Sequence, residues 1–235
     1  MTAIADDART VDELLNFILD GGQPEYLLFW GHQPPPTGGA GKSCLSQWWP
    51  APFTVEGISY RSAEHFMMTA KALLFGDISS ADRIRAAPHP RAAKALGRDV
   101  REFDEQRWAE RRFDLVVTGN LAKFRQHPDL RDYLLGTGNR VIVEASPVDR
   151  IWGIGLAADD ERATSPRHWS GLNLLGFALM EVRQQLRSPE PGDEDRPLEL
   201  SRSSQRRTSS EATGGVPGVS SRCDPTTDAR GISAN

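Results

Sequence analysis

The most informative stretch of the chain for its fold reads Ser62-Ala63-Glu64-His65-Phe66-Met67-Met68-Thr69-Ala70-Lys71. Its apolar residues recur at helical spacing, which predicts a helix from near Ser62 to about Phe75. Glu64, Met68 and Lys71 follow one another at i, i+4 and i+7, so they share one face of this helix. The other side is largely apolar, and we expect it to pack against the rest of the protein.

Patterns on either side of this helix add short strands and further helices. Tyr26 to Trp30 is a short apolar run that predicts a buried strand, and Val141 to Glu144 predicts another. Two triplets around Glu56-Gly57 predict a tight hairpin. Other helical patterns follow Thr10 and cover 81–87, 90–97, 104–125, a segment that starts at 128, and 173–186. Because helices outnumber strands and do not alternate with them regularly, we predict an α+β fold, a mainly helical single domain around a small β-sheet.

The composition divides the chain into three parts. Residues 1–24 are predicted to form an N-terminal helix extension, in which Thr10 and Glu13 give a capping-box pattern. Residues 25–187 carry the predicted folded domain. Residues 188–235 contain no Phe, Tyr or Trp and are rich in Ser, Pro, Gly and charges, so we predict a disordered tail. A docking peptide and a solvated extension both fit such a tail, and the composition favours the solvated extension.

The bulk properties exclude several classes of protein. A net charge of −4 gives no general attraction to nucleic acid or to an anionic membrane. Cys44 and Cys223 lie far apart, so we expect neither a structural disulfide nor a zinc site. No apolar run approaches the roughly 20 residues that span a bilayer, and the acidic N-terminus does not resemble a signal peptide. We therefore expect a cytoplasmic protein that uses no metal and no cofactor.

A glycine-rich segment, Gly38-Gly39-Ala40-Gly41-Lys42-Ser43, resembles part of a phosphate-binding loop. The full pattern needs a glycine where this chain has Pro36, and it also needs a helix directly after the loop. The sequence from Cys44 to Pro50 does not have a helical pattern. We therefore interpret the segment as a loop without this function.

Glu64 and Lys71 are the first candidates for chemistry. Glu64 lies in the first turn of its helix, where the helix dipole favours the ionised carboxylate. Lys71 is one of only four lysines in a chain with many arginines. An acidic first turn is common, so a helix-supporting Glu64 and a solvated Lys71 are the alternatives. His65 is a candidate proton donor, although a lone histidine is more often structural.

A second group of candidates lies after the strand at 141–144, in the run Glu144-Ala145-Ser146-Pro147-Val148-Asp149-Arg150-Ile151-Trp152-Gly153-Ile154-Gly155. Loops at strand ends are where scaffolds commonly place reactive groups. Asp149 is the acidic candidate there, and Trp152 is a candidate for substrate binding. Trp108, in the long helix at 104–125, is a candidate of the same kind, with core packing as the alternative for both tryptophans.

Taken in order, these motifs resemble the NADAR family, the YbiA-like N-glycosidases, over roughly residues 26–186. The matching motifs are Phe53-Thr54-Val55-Glu56-Gly57, Ala63-Glu64-His65-Phe66, Ala70-Lys71-Ala72, Gly97-Arg98, Trp108, Lys123-Phe124, Leu130, Leu134-Leu135, Thr137, Glu144 to Gly155, Gly171 to Gly176, Leu179-Met180 and Arg183. One departure follows Trp152-Gly153, where short members often carry an acidic residue and then glycines. This chain instead has Ile154-Gly155-Leu156 and a longer insertion through Trp169.

The resemblance implies a cofactor-free hydrolase of N-glycosidic bonds. Substrates reported for the family include early phosphoribosylamino intermediates of riboflavin synthesis and ADP-ribosylated guanine, so the expected partner is a small ribosylated base or an ADP-ribosylated nucleobase. The resemblance points to Glu64, Trp108 and Asp149 as active-site residues, with Lys71, Arg98 and Trp152 nearby. We accordingly assign catalysis to Glu64, Asp149 and Lys71 and substrate binding to Trp108, Arg98, Trp152 and His65.

The residue types suit this chemistry. Breaking a ribose–base bond builds positive charge at C1′, which a carboxylate stabilises while it or another group activates water. Arg98 is suited to a bidentate phosphate contact, and Lys71 either contacts a phosphate or attacks C1′. The main alternative function is a non-catalytic module that binds ADP-ribose or a nucleotide, and a second is a structural interaction domain with a docking tail. A measurement of substrate turnover would distinguish an enzyme from the binding module and from the structural domain.

Overall fold

The structure, a computed structural model, describes residues 5–36 and 38–188. These residues contain seven α-helices and four short strands, which confirms the predicted α+β fold dominated by helices. The helices are α1 (Val11–Leu19), α2 (Ala63–Leu74), α3 (Ile78–Ala86), α4 (Pro90–Arg98), α5 (Glu105–Gln126), α6 (Pro128–Gly136) and α7 (Leu174–Arg187). The strands are β1 (Tyr26–Phe29), β2 (Phe53–Val55), β3 (Ile58–Tyr60) and β4 (Val141–Glu144). Apart from Ser188, the tail predicted to be disordered lies outside the described residues.

Strands β1 and β4 form a parallel pair, in which the first three residues of β4 are fully buried. Phe29, the last residue of β1, is paired with Glu144, the last residue of β4. Helix α7 packs closely on β4, because a Cβ atom on Gly176 would come within 2.0 Å of the Ile142 carbonyl oxygen. The carboxyl ends of parallel strands meet at one edge, so the segments that follow Phe29 and Glu144 leave the sheet side by side.

The predicted hairpin is confirmed as the antiparallel pair β2–β3. Glu56 and Gly57 both have positive φ angles, 49° and 79°, as a two-residue type I′ turn requires. Phe53 and Tyr60 face Phe66 of α2, with the Tyr60 and Phe66 ring centroids 5.1 Å apart. The hairpin therefore closes over the apolar side of α2, away from the face that carries Glu64 and Lys71.

The N-terminal extension is fixed to α7 by a buried ion pair. Asp6 and Arg183 are both fully buried and form a salt bridge. The second carboxylate oxygen of Asp6 accepts from Arg187 at 2.6 Å, and Arg183 also donates to the Thr137 hydroxyl at 2.5 Å. Helix α1 then begins at the predicted cap, where the Thr10 hydroxyl accepts from a backbone amide. The extension thus contributes a charged partner to the core of the domain.

The insertion after Gly155 forms two short 3₁₀ turns, Glu161–Thr164 and Pro166–His168. The indole N–H of Trp169 donates to the Ala163 carbonyl at 2.9 Å, and its ring lies edge-on to Tyr26 with centroids 6.3 Å apart. The insertion is therefore a folded flank beside the start of β1. Among the described helices, none is both long and apolar enough to cross a membrane.

Candidate active site

The segment from Cys44 to Gln47, which precedes the hairpin, covers the start of α2. The backbone N–H of Glu64 donates to the Gln47 carbonyl at 3.0 Å, so this segment closes the amino end of the helix. Asn120 of α5 donates to the Gln47 side-chain oxygen at 2.8 Å. The buried ammonium of Lys123 donates to the carbonyls of Cys44 and Ser46, at 2.6 and 3.0 Å. Helix α5 therefore holds the segment in place over α2, and burial lowers the pKa of Lys123 to about 8.

Glu64 lies beneath this cover and is only 2% exposed. Burial raises the pKa of its carboxyl to about 7, although Lys94, a hydrogen bond from the Trp48 side chain and Arg98 favour the charged form. Its Oε1 atom is enclosed and has no hydrogen-bond partner. The expectation that the helix dipole keeps Glu64 ionised is therefore corrected, because loss of water around the carboxyl outweighs the dipole.

Asp149 reaches the same place from the loop after β4. Its Oδ1 atom accepts from the backbone amides of Ile151 and Trp152, at 2.9 and 2.8 Å, which fixes the carboxylate in the loop. Its Oδ2 atom lies 3.9 Å from Nζ of Lys94. Since the charges of Lys94 and Asp149 both act on Glu64, the structure brings the two predicted carboxyls to one site. The half-buried Trp152 side chain packs against the main core beside this loop.

A third carboxyl, that of Glu144, completes the cluster. Burial raises its pKa to about 8, with Asp149 and Glu64 adding to the shift and Lys94 opposing it. Its Oε2 atom is enclosed and has no hydrogen-bond partner. The charges of Asp149 and Lys94 thus act on both Glu64 and Glu144, and two neighbouring carboxyls with raised pKa values are typical of functional sites.

Lys71, on the same face of α2 as Glu64, and Trp108 of α5 form a second group. The Lys71 ammonium lies 5.9 Å from the Trp108 ring centroid and 4.0 Å from that of Phe103. It donates to the Gly97 carbonyl at 2.8 Å, and burial lowers its pKa. Met68 contacts the same glycine, because a Cβ atom there would lie 2.2 Å from the Met68 sulfur. Lys71 is therefore half-buried and bonded rather than a solvated surface group.

Helix α4 connects the two groups. Its Lys94 and Arg98 act on Glu64, while Gly97 contacts Met68 and Lys71. The helix begins with Pro90 at its first turn, as predicted, and His89 caps it by accepting from Ala92 at 3.1 Å. The convergence of Glu64, Asp149, Lys71 and Trp108 on one substrate pocket stays a prediction, with α4 as the element that links its two ends.

His65 has a structural environment, in contrast to its neighbour Glu64. It is fully buried, and its Nε2 atom donates to the Ala87 carbonyl at 3.1 Å. Its Nδ1 atom must then accept from the Ser62 hydroxyl, which lies 2.8 Å away. Both ring nitrogens are occupied and burial lowers the pKa of the ring, so we leave His65 out of the proposed mechanism.

The site contains three residues that sequence reasoning did not select, namely Trp48, Lys94 and Glu144. Trp48 lies in Ser46-Gln47-Trp48-Trp49, which resembles the longer branch of the family, and Glu144 begins the run that ends at Gly155. Neither residue was assigned a role. One feature of the sequence could have indicated Lys94: it lies between Arg91 and Arg98 at helical spacing, so the three cations share one face of α4. Within residues 5–36 and 38–188, no three His, Cys, Asp or Glu side chains are grouped so that they could hold a metal ion.

Several known proteins are similar to this chain. The chain is 46% identical over 151 residues to N-glycosidase R617 of Acanthamoeba polyphaga mimivirus, a match that covers 62% of this chain and 89% of that protein. It is 32% identical over 135 residues to N-glycosidase YbiA of Escherichia coli, covering 57% of this chain and 76% of YbiA. It is also 39% identical over 131 residues to Protein irg-1 of Caenorhabditis elegans, covering 55% and 62%.

The fold has a counterpart among solved structures. The NMR structure of Escherichia coli YbiA superposes with a TM-score of 0.56 at 27% identity, covering 70% of this chain and 86% of that one. Residues 28–187, which include every proposed site residue, match the NADAR domain. The chain therefore belongs to the NADAR domain family.

Proposed function

We propose that the protein is an N-glycosidase that hydrolyses the bond between C1′ of a ribose and a base. The observation that supports the proposal is the Asp149–Lys94 ion pair, whose two charges both act on the buried carboxyl of Glu64. Paired carboxyls are the usual means of cleaving glycosidic bonds. The relatives named N-glycosidase, from a virus and from bacteria, support the same reaction.

Glu64 and Asp149 have distinct parts in this proposal. Charge builds at C1′ as the bond breaks, and the ionised carboxylate of Glu64 stabilises it and accepts a proton from the attacking water. Asp149 holds Lys94 in the site and adds negative charge beside the sugar. Trp108, and Trp48 beside Glu64, provide aromatic faces for the base.

The cations on α4 and α2 favour a phosphorylated substrate. Lys94 and Arg98 lie beside the carboxyls, and Arg98 is exposed, so its guanidinium is free to form a bidentate phosphate contact. Lys71 keeps the two roles that its chemistry allows, a phosphate contact or attack on C1′ by its amine. We propose substrates of the two reported classes, phosphoribosylamino intermediates of riboflavin synthesis and ADP-ribosylated guanine.

Base release tests the proposal directly. The protein is incubated with each substrate class, with and without EDTA, and the products are separated by chromatography. We expect the free base to appear at equal rates in both conditions, because the mechanism uses no metal. Ligand-induced stabilisation against heat without any base release would instead identify a binding module.

The tail offers a separate prediction. A chain that ends after Ser188 is expected to keep the melting temperature and turnover of the full chain, because residues 189–235 have a composition that cannot bury a core. Differential scanning calorimetry and the base-release assay on both chains provide the comparison. A clear drop in either quantity would show that the tail docks on the domain.

A further inference from the structure

Glu144 is a partly buried acid without a role in the mechanism given above. Its backbone is held on both sides: its N–H donates to the Asn173 side chain at 3.0 Å, and its carbonyl accepts from Ile154 at 3.0 Å. Asn173 is itself fully buried, has a left-handed backbone with φ of 52°, and donates to the Ile142 carbonyl at 2.9 Å. The position of the Glu144 backbone at the end of β4 is therefore fixed by the strand, the loop and α7.

The side chain, in contrast, has no partner for its Oε2 atom. An enclosed carboxylate oxygen without a donor is strongly disfavoured, so such groups are rare in folded proteins. A proton on the carboxyl removes that cost and turns it into a hydrogen-bond donor. Glu64, 2% exposed and with its own Oε1 unpartnered, faces the same site. These two enclosed carboxyl oxygens, without hydrogen-bond partners in the protein, are therefore available to the polar groups of a substrate.

The charged groups around Glu144 also favour a proton on its carboxyl. Asp149 from the following loop and Glu64 from α2 oppose its ionisation, and Lys94 from α4 is the one cation that acts on it among the described residues. Burial together with the two carboxyls outweighs that cation and raises the pKa of Glu144 to about 8. Burial thus raises the pKa of both carboxyls, and the two neighbouring acids make a proton on Glu144 more favourable still.

We propose that Glu144 is the general acid of the reaction and protonates the departing base. The inference rests on the proposed N-glycosidase function. The C1′–N bond breaks, its electron pair stays on the base nitrogen, and the Glu144 carboxyl proton moves to that nitrogen. Water oxygen bonds to C1′, and the proton that this water loses goes to the Glu64 carboxylate. Exchange with solvent then deprotonates Glu64 and reprotonates Glu144.

A matched pair of substrates isolates this step. ADP-ribosylated guanine loses a base that must gain a proton, whereas NAD⁺ carries the same ADP-ribose on a pyridinium that leaves as neutral nicotinamide without one. A phosphoribosylamino substrate and nicotinamide mononucleotide make a second such pair, in which only the first has a leaving group that must gain a proton. We expect Glu144→Gln to lower base release from the proton-requiring member about a hundredfold or more and to leave release of nicotinamide nearly unchanged. Equal losses on both members, or no loss on either, would overturn the proposal.

The pH profile gives a second measurement. An acid must be protonated to act, so wild-type activity on the proton-requiring substrate should fall as the pH rises through about 8. The Glu144→Gln variant should lack this alkaline decline, and Glu110→Gln, which changes an exposed glutamate on α5, should keep it. An alkaline decline that survives in Glu144→Gln would assign it to another group.

Infrared spectroscopy of the protein alone separates this inference from the proposed function. We expect a protonated-carboxyl band at pH 7 that is reduced in Glu144→Gln and unchanged in Glu110→Gln. If the Glu144 band is absent, the acid role is wrong whatever the enzyme hydrolyses. If the band is present but the wild type releases base from neither substrate pair, the N-glycosidase proposal fails, and the acid role fails with it.

Discussion

Glu64→Gln is expected to lower the rate constant for base release by about a hundredfold or more, which is the usual scale for losing one acid–base or electrostatic group. A carboxylate stabilises the positive charge that develops at C1′ and accepts a proton from water, and an amide of the same shape does neither. Substrate affinity should change little, because the substitution keeps the volume of the side chain. Single-turnover base release by the wild type and the variant is the measurement, with folding checked by circular dichroism.

The pH dependence of the same step has a defined sign. Because Glu64 acts in its ionised form and its pKa is about 7, wild-type activity should rise as the pH rises through neutrality. This acidic limb should disappear in Glu64→Gln and remain in Glu110→Gln. A folded Glu64→Gln protein with near-wild-type turnover would remove Glu64 from the mechanism and leave Asp149 as the leading carboxylate.

Asp6→Ala is expected to reduce the free energy of unfolding by about 3–5 kcal/mol, because it leaves the fully buried guanidinium of Arg183 without its counter-charge. Arg187 loses its ion-pair partner in the same change. For a domain of this size, the melting temperature should fall by roughly 10 °C. Urea unfolding followed by circular dichroism measures the difference.

Two further variants show whether the ion pair is responsible. Asp159→Ala removes an exposed acid and should change the stability by less than about 0.5 kcal/mol. The double variant Asp6→Ala/Arg183→Met should be more stable than the sum of its single changes predicts, because no unpaired buried charge remains. An unchanged unfolding midpoint for Asp6→Ala would show that Arg183 is satisfied without it.

The helices and strands were predictable because each has a local cause in the sequence. The turn at Glu56-Gly57, the cap at Thr10 and the proline at position 90 each act within a few residues, and the structure has the hairpin and helices that they indicate. The parallel pairing of β1 with β4 was not predicted. It joins segments more than a hundred residues apart, and no local pattern specifies such a partner.

The site was predictable only in part, for the same physical reason. Glu64 and Asp149 could be selected from motifs, but the protonation of Glu64 depends on a cover that α5 holds over it. The roles of Lys123 and Asn120 in that cover require contacts across more than 70 residues of sequence. Burial therefore changed the electrostatic prediction for Glu64, whereas the residue itself was correctly placed on its helix face.

The two carboxyls with raised pKa values also link the protein's stability to proton concentration. Glu64 and Glu144 have pKa values near 4.5 when unfolded and about 7 and about 8 when folded, so the folded state retains protons that the unfolded state has released. Stability from these two groups is complete below pH 4.5 and declines as the pH rises toward 8. Activity that depends on ionised Glu64 changes in the opposite direction over the lower part of this range. At the pH values at which the enzyme is active, ionisation of Glu64 and Glu144 therefore destabilises the folded state. Interactions elsewhere in the fold, including the Asp6–Arg183 ion pair, must compensate for this loss of stability.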